Sequence, residues 1–225
     1  MKVLRSGKSR VTRSRRRFRS RDHSRLWGTA GQSYLRRLCV EPLEDRRLLA
    51  RLFAVPNDGS DDIVELDPAT AAEMNRFDAP PVSGGPDGLA FNGSSLFFLN
   101  GSATLWELNP DTGAVLDFDL LTVGSGGYDG LAALRGRVYI LDYAWDDILQ
   151  FDPVSDTVTD VLDIDGLNPG VTKLIGGLAG ITGPDALIVT EGPSTVLEID
   201  PVSGFVSNSF ALPGSAYYGV AVVDG

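Results

Sequence analysis

From about residue 52 onward, apolar runs of four to six residues alternate with clusters of Gly, Pro, Asp, Asn and Ser. Runs of this length, bounded by turn formers, predict strands, and no helical spacing is sustained over ten residues. The runs recur in a fixed order. One type, strand A, carries Gly88-Leu89-Ala90, Gly130-Leu131-Ala132, Gly177-Leu178-Ala179 and Gly219-Val220-Ala221, at intervals of 42, 47 and 42. Strand B follows as Leu96–Leu99, Val138–Leu141 and Leu187–Thr190, and strand C as Thr104–Leu108, Ile148–Phe151 and Val196–Ile199. Strand D is Val115–Leu120, Thr157–Leu162 and Phe205–Phe210.

Between C and D stands Asp67-Pro68, Asn109-Pro110, Asp152-Pro153 or Asp200-Pro201, at intervals of 42, 43 and 48. In Asn109-Pro110-Asp111-Thr112-Gly113 the Asx side chain accepts a backbone bond, proline presets φ and glycine takes a positive φ. The recurrent Asp-Pro is therefore a hairpin turn and not a catalytic pair. The alanines of strand A are expected to relieve crowding near a central axis.

A repeat of about 42 residues with four short strands predicts an all-β chain, a β-propeller of four-stranded antiparallel blades. The first unit, Leu52 to about Ala79, supplies B, C and D, and the last, Tyr218–Val223, supplies only A. Gly219–Val223 pairing beside Leu52–Val55 would close a four-bladed ring. The alternative is an arc of a larger propeller. Strings such as Pro86-Asp87-Gly88-Leu89-Ala90 and Leu197-Glu198-Ile199-Asp200-Pro201 resemble the NHL, YVTN and quinoprotein-like propeller group. That resemblance implies the fold but no single function, because the group hosts lactonases, lyases, dehydrogenases and pure binding modules.

Charge divides the chain at residue 51. The chain carries 20 Lys and Arg against 30 Asp and Glu. Residues 1–51 hold 16 of those bases and only Asp22, Glu41, Glu44 and Asp45 as acids, a net +12, whereas residues 52–225 carry −22. A basic, largely disordered leader on an acidic domain is the expected organisation. Arg10–Arg21 could serve as a nucleic-acid arm through counterion release. As an export signal the leader lacks an apolar core, since Gln32, Arg36 and Arg37 interrupt Trp27–Val40. Leu43, Glu44, Arg46, Leu48 and Leu49, within VEPLEDRRLLA, resemble the Leu-Glu-Pro-Arg-x-Leu-Leu leader of planctomycete surface and secreted proteins, with Asp45 in place of proline. The resemblance implies a secreted or cell-envelope destination.

Composition removes several kinds of chemistry. The single Cys, Cys39, and the single His, His23, both fall in the leader, so the acidic domain can assemble neither a Ser-His-Asp triad nor a Cys-His pair. No Gly-rich phosphate loop with a following Lys appears, and no apolar run approaches a membrane span.

What remains is carboxylate chemistry at one mouth of the propeller, where the D-to-A and B-to-C connections emerge together. The D-to-A entries carry Asp87 and Asp129, the candidate metal ligands. The B-to-C entries carry Asn100, Asp142 and Glu191 at aligned positions, with Asp146 and Asp147 beside Trp145. Tyr128, Trp145, Tyr217 and Tyr218 would bring aromatic rings to the same rim. Converging carboxylates call for a cation, and hard oxygen ligands suit Ca²⁺. The competing reading is structural, because Asp before Gly commonly bonds local amides. The lengthened connection Asp163–Lys173 contains Asp163-x-Asp165-Gly166-x-Asn168, a fragment of a calcium loop without the closing Glu, and Asn57–Asp62 has a similar polar loop.

The expectation is a secreted or surface β-propeller serving as a non-catalytic binding or scaffold module for a surface protein or polysaccharide, with Ca²⁺ at its acidic mouth. A calcium-assisted lactonase or lyase, as the NHL-like resemblance allows, and nucleic-acid binding by the leader are the alternatives.

Overall fold

A computed structural model describes residues 51–56, 62–81, 86–100 and 103–214, without the side chains of Pro86, Asp87 and Asn100. All belong to the second of two units into which the chain divides, Arg47–Gly225. They form four antiparallel sheets arranged as the blades of a β-propeller. Blade 1 comprises β1 (Leu52–Ala54), β2 (Asp62–Leu66) and β3 (Glu73–Asp78); blade 2 comprises β4 (Pro86–Phe91), β5 (Leu96–Asn100), β6 (Thr104–Leu108) and β7 (Val115–Leu120). Blade 3 comprises β8 (Tyr128–Leu134), β9 (Arg137–Asp142), β10 (Asp147–Asp152) and β11 (Thr157–Asp163). Blade 4 comprises β12 (Leu174–Ile181), β13 (Ala186–Glu191), β14 (Thr195–Ile199) and β15 (Val206–Ala211). Each sheet is a meander in chain order. The pairing of Gly219–Val223 with β1 falls outside the described residues, as do the leader and its Leu43, Glu44, Arg46, Leu48 and Leu49. Among the described residues no helix is long and apolar enough to cross a membrane.

The B strands are apolar on both faces because each face enters a different core. Leu96 and Phe98 of β5 join Ile63 of blade 1, while Phe97 and Leu99 join Leu131, Val138 and Ile140 of blade 3. A third core fills the seam between blades 3 and 4, with Leu141, Ile148, Leu162 and Ile164 against Leu187, Val189, Leu197 and Ile199. Sheets buried on both sides need continuous rather than alternating hydrophobicity, as these runs show.

The crowding between inner strands falls on glycines rather than on the alanines. A Cβ on Gly88 would lie 2.7 Å from Leu131 Cγ, and one on Gly130 would lie 2.8 Å from both Gly176 O and Leu178 N. The alanines Ala90 and Ala132 instead lie buried in the cores between blades.

The C-to-D turns form as the residues predict. Asn109 Oδ1 accepts from the amides of Asp111 and Thr112, at 2.9 and 3.1 Å, and Gly113 N donates to Asn109 O at 2.9 Å with φ +70°. Asp200 repeats the pattern with Val202 and Ser203, and Gly204 has φ +73°. Ala71 and Asp156 occupy the same left-handed position, at φ 56° and 53°, without glycine's freedom. Beyond each turn the C–D pairing slips by one residue, after Glu65, Glu107, Gln150 and Glu198. These bulges set which residues face each other at the opposite ends of the strands.

Arg51, counted with the basic leader by charge, works inside the propeller. Its guanidinium pairs with Glu65 at 2.7 Å and with Asp111 at 2.8 Å, donates to Pro110 O at 3.0 Å, and lies 4.9 Å from the Phe53 ring centre. It thereby ties blade 1 to the C-to-D turn of blade 2.

Candidate functional site

The aligned acids at the ends of the B strands fasten the connection that enters their own blade. Asp142, fully buried, closes β9 and accepts from the backbone amide and the hydroxyl of Ser125, and from Ala144 N at 3.1 Å. Glu191 closes β13 and accepts from Thr172 N at 2.7 Å and from Thr172 Oγ1 at 3.3 Å. Ser125 and Thr172 both lie just before a strand A, so two acids at equivalent positions do equivalent work. Asn100 closes β5 at the third such position.

A second set of bonds ties blade 3 to blade 4. Asp129 Oδ2 accepts from Gly176 N at 3.0 Å, and Asp146 Oδ1 accepts from Leu174 N at 2.7 Å. Lys173 Nζ donates to Tyr143 O and stands 3.6 Å from Asp146. Burial pushes the Asp129 carboxyl above its ordinary value, and the Gly176 amide opposes part of that rise. Tyr128 is buried in the core between blades 2 and 3 and donates its hydroxyl to Val123 O, so it does not present a ring to solvent. Trp145, 57% exposed on the B-to-C turn of blade 3, does face solvent. The Asp87 and Asn100 side chains, Tyr217 and Tyr218 lie outside the described residues.

Blade 3 carries a further concentration of charge that emerges only with strand register. Asp147, at the start of β10, stands opposite Asp142 on β9 and opposite Asp163 on β11. Three aspartates thus form one row across three strands, where like charges directly opposite repel. The corresponding rows elsewhere read Asn100, Thr104, Leu120 in blade 2 and Glu191, Thr195, Ala211 in blade 4. Blade 1 also pairs two acids, Asp62 and Asp78, but Arg76 Nη1 reaches Asp62 at 2.8 Å. Within the blade 3 row Asp142 holds the entry to its blade and Asp163 caps the helical turn that follows, accepting from Gly166 N at 2.8 Å, so Asp147 is the acid for which blades 2 and 4 carry Thr104 and Thr195.

Asp165 joins the row from α1 (Ile164–Leu167), one helical turn within the lengthened connection. Carboxylate oxygens of Asp147, Asp163 and Asp165 all lie within 4.8 Å of one another. Among the described residues none of the three has a cationic side chain in ion-pair range. Burial, followed by the fields of Asp163, Asp142, Asp165 and Asp146, pushes the Asp147 carboxyl up to about 6.

A triangle of oxygens with that edge has its centre about 2.8 Å from each corner, close to the roughly 2.3 to 2.6 Å that Ca²⁺ prefers. Three carboxylates therefore fit a hard divalent cation after a small contraction. Asn168, the last member of the calcium-loop-like string, takes no part. Its Nδ2 donates to Ile164 O at 2.8 Å and Gly204 O at 2.9 Å, and its Oδ1 accepts from Val206 N at 2.8 Å. It is a strut between the connection and blade 4. The sequence places Asp163 and Asp165 on the right connection, but their meeting with Asp147 follows from the hairpin between β10 and β11.

No protein-family model and no curated protein sequence matches the chain. Solved structures are similar in fold. U3-55K superposes with a TM-score of 0.53 at 14% identity, over 73% of this chain and 50% of that one. The WD40 domain of Neurospora crassa Pan2 superposes with a TM-score of 0.50 at 11% identity, over 68% of this chain and 44% of that one. Myxococcus xanthus glutaminyl cyclase gives 0.49 at 20% identity, over 63% of each chain. The match spans less than two thirds of each of these proteins. At such identities the first two likenesses concern the fold alone, that of a β-propeller.

Proposed function

We propose that this propeller is a non-catalytic binding module whose acidic corner on blade 3 takes a Ca²⁺ ion. The observation that carries the reading is the triangle of Asp147, Asp163 and Asp165, with oxygens within 4.8 Å and no neutralising base among the described residues. Asp129 falls outside this triangle and accepts the Gly176 amide at 3.0 Å, whereas Asp163 combines its place in the triangle with a bond from Gly166 N at 2.8 Å; the Asp87 side chain lies outside the described residues. A site of three carboxylates, partly open to water, suits the weak affinity, roughly 10⁻⁴ to 10⁻³ M, of extracellular calcium modules. Such an affinity would suit the secreted or envelope destination that the resemblance of the leader implies, and the repeats resemble those of NHL and YVTN propellers. The bound ion would leave open positions in its shell for a hydroxylated ligand such as a surface polysaccharide, and Trp145, exposed on the turn just before β10, is an aromatic surface on the same blade.

Calorimetric titration of the full chain with CaCl₂ tests the proposal. One site of sub-millimolar to millimolar affinity is expected in the wild type and none in Asp147→Asn/Asp165→Asn. Absence of binding in the wild type, or binding that the double substitution leaves unchanged, would remove it.

A further inference from the structure

An open groove of about 450 Å³ lies between the connection that carries α1 and the outer half of blade 4. Val171 stands in its wall, Leu197 and Val206 supply apolar surface from blade 4, and Glu191, Thr195 and Ser209 supply polar groups. The volume is within the range of small-molecule sites, which combine apolar surface with a few placed polar groups.

The groove is held open by its own chain. At one end Glu191 Oε1 anchors the connection through Thr172 N at 2.7 Å. At the other, the Asn168 side chain bonds Gly204 O at 2.9 Å and Val206 N at 2.8 Å, fixing the connection to the blade 4 hairpin. A wall pinned at both ends needs little ordering when a ligand arrives.

Its polar groups are only partly used. Among the described residues Glu191 Oε2 has no partner, and neither do the hydroxyls of Thr195 and Ser209. The nearest lysine in sequence, Lys173, is turned to Tyr143 O and Asp146 on blade 3. Among the described residues Glu191 therefore faces the groove without a cation, in a domain where residues 52–225 hold 26 acids and four bases. An anion would be repelled there, and a neutral ligand would leave the half-buried carboxylate uncompensated.

We infer that this groove binds an organic cation on an aliphatic stem, an alkylammonium or alkylguanidinium of the size of a lysine or arginine side chain. The charged head pairs with Glu191 Oε2 and donates its other N–H groups to Thr195 and Ser209. The stem lies on Val171, Leu197 and Val206. Glu191 thus serves twice, with one oxygen for the chain and one for the ligand. The inference is independent of the calcium proposal, because none of these residues belongs to the Asp147 triangle.

The test is an NMR titration of ¹⁵N-labelled full-length protein with n-butylguanidinium and n-butylammonium, beside n-butanol and butyrate. Both cations should shift the amides of Val171, Thr172 and Ser209 with millimolar affinity, as expected for such small ligands. Butanol should bind at least about tenfold more weakly and butyrate not at all. Glu191→Gln should weaken the cations at least about tenfold. Because that change also alters the Thr172 contact, Thr195→Lys provides a second arm. It keeps Glu191, places a tethered ammonium beside it, and should abolish binding with the Thr172 amide signal still in place. Asp147→Asn should leave the affinities unchanged, which separates the groove from the calcium corner. Equal affinity for butanol and the cations, unchanged binding in Thr195→Lys, or shifts centred on Asp147 and Asp163 would overturn the inference.

Discussion

Asp147 should make the propeller less stable as pH rises, and an amide in its place should reverse the effect. Its carboxyl titrates near 6 in the folded chain against an ordinary value of 3.8, chiefly through burial and secondarily through Asp163 and Asp142. Between those two values the native state holds more protons than the unfolded state, so unfolding free energy falls with rising pH, and the penalty is complete above about 6. A shift of two units corresponds to about 3 kcal/mol at full value. Asp147 retains substantial access to water, and screening reduces this to about 1 kcal/mol. In Asp147→Asn, measured in chelator at low salt, the thermal midpoint should therefore rise about 2 to 4 °C at pH 7.5. At pH 4 the gain should disappear, because the wild-type carboxyl is then protonated in the folded chain and close to half-protonated in the unfolded one. Added CaCl₂ should stabilise the wild type and not the variant. A variant no more stable than wild type at pH 7.5, or a gain of equal size at pH 4, would refute the electrostatic account of the row.

Three further outcomes follow from the geometry. Asp142→Ala strips the acceptor from two Ser125 donors and from Ala144 N in a fully buried position, and should lower urea-unfolding free energy by about 3 kcal/mol. Gly130→Ala drives a Cβ to 2.8 Å from the backbone of Gly176 and Leu178, and should cost about 2 kcal/mol in the same assay. Ala71→Gly, at φ 56° where two other blades use glycine, should instead stabilise by about 0.5 to 1 kcal/mol, the left-handed cost less glycine's extra entropy when unfolded.

The blades were legible because their determinants are local. A run such as Leu96-Phe97-Phe98-Leu99 states by composition alone that both faces of a strand are buried, and Asn109–Gly113 spells out its own turn. The positions of Asp142 and Glu191 were equally legible from the repeat. Their roles were not, because a carboxylate that clasps a backbone amide and one that awaits a cation look alike in a string of letters. The acidic row was hidden for a different reason. Beyond Phe151↔Val158 an unbroken hairpin would set Asp147 against Leu162; the slip after Gln150 sets it against Asp163. One bulged residue thus decides whether a triangle of acids exists. The groove was hidden because Asn168, read as part of a calcium loop, acts as a brace to residues 36 and 38 positions away.

The clasps at Asp142 and Glu191 reach back only 17 and 19 residues to the groups they hold. Lock and key are therefore carried on one short stretch of chain. A tandem duplication of such a stretch would copy both halves together, and the new blade would arrive already able to secure its own entrance. Growth of a propeller by whole blades then needs no new invention at the rim, only a neighbour against which the copy can lay its apolar face.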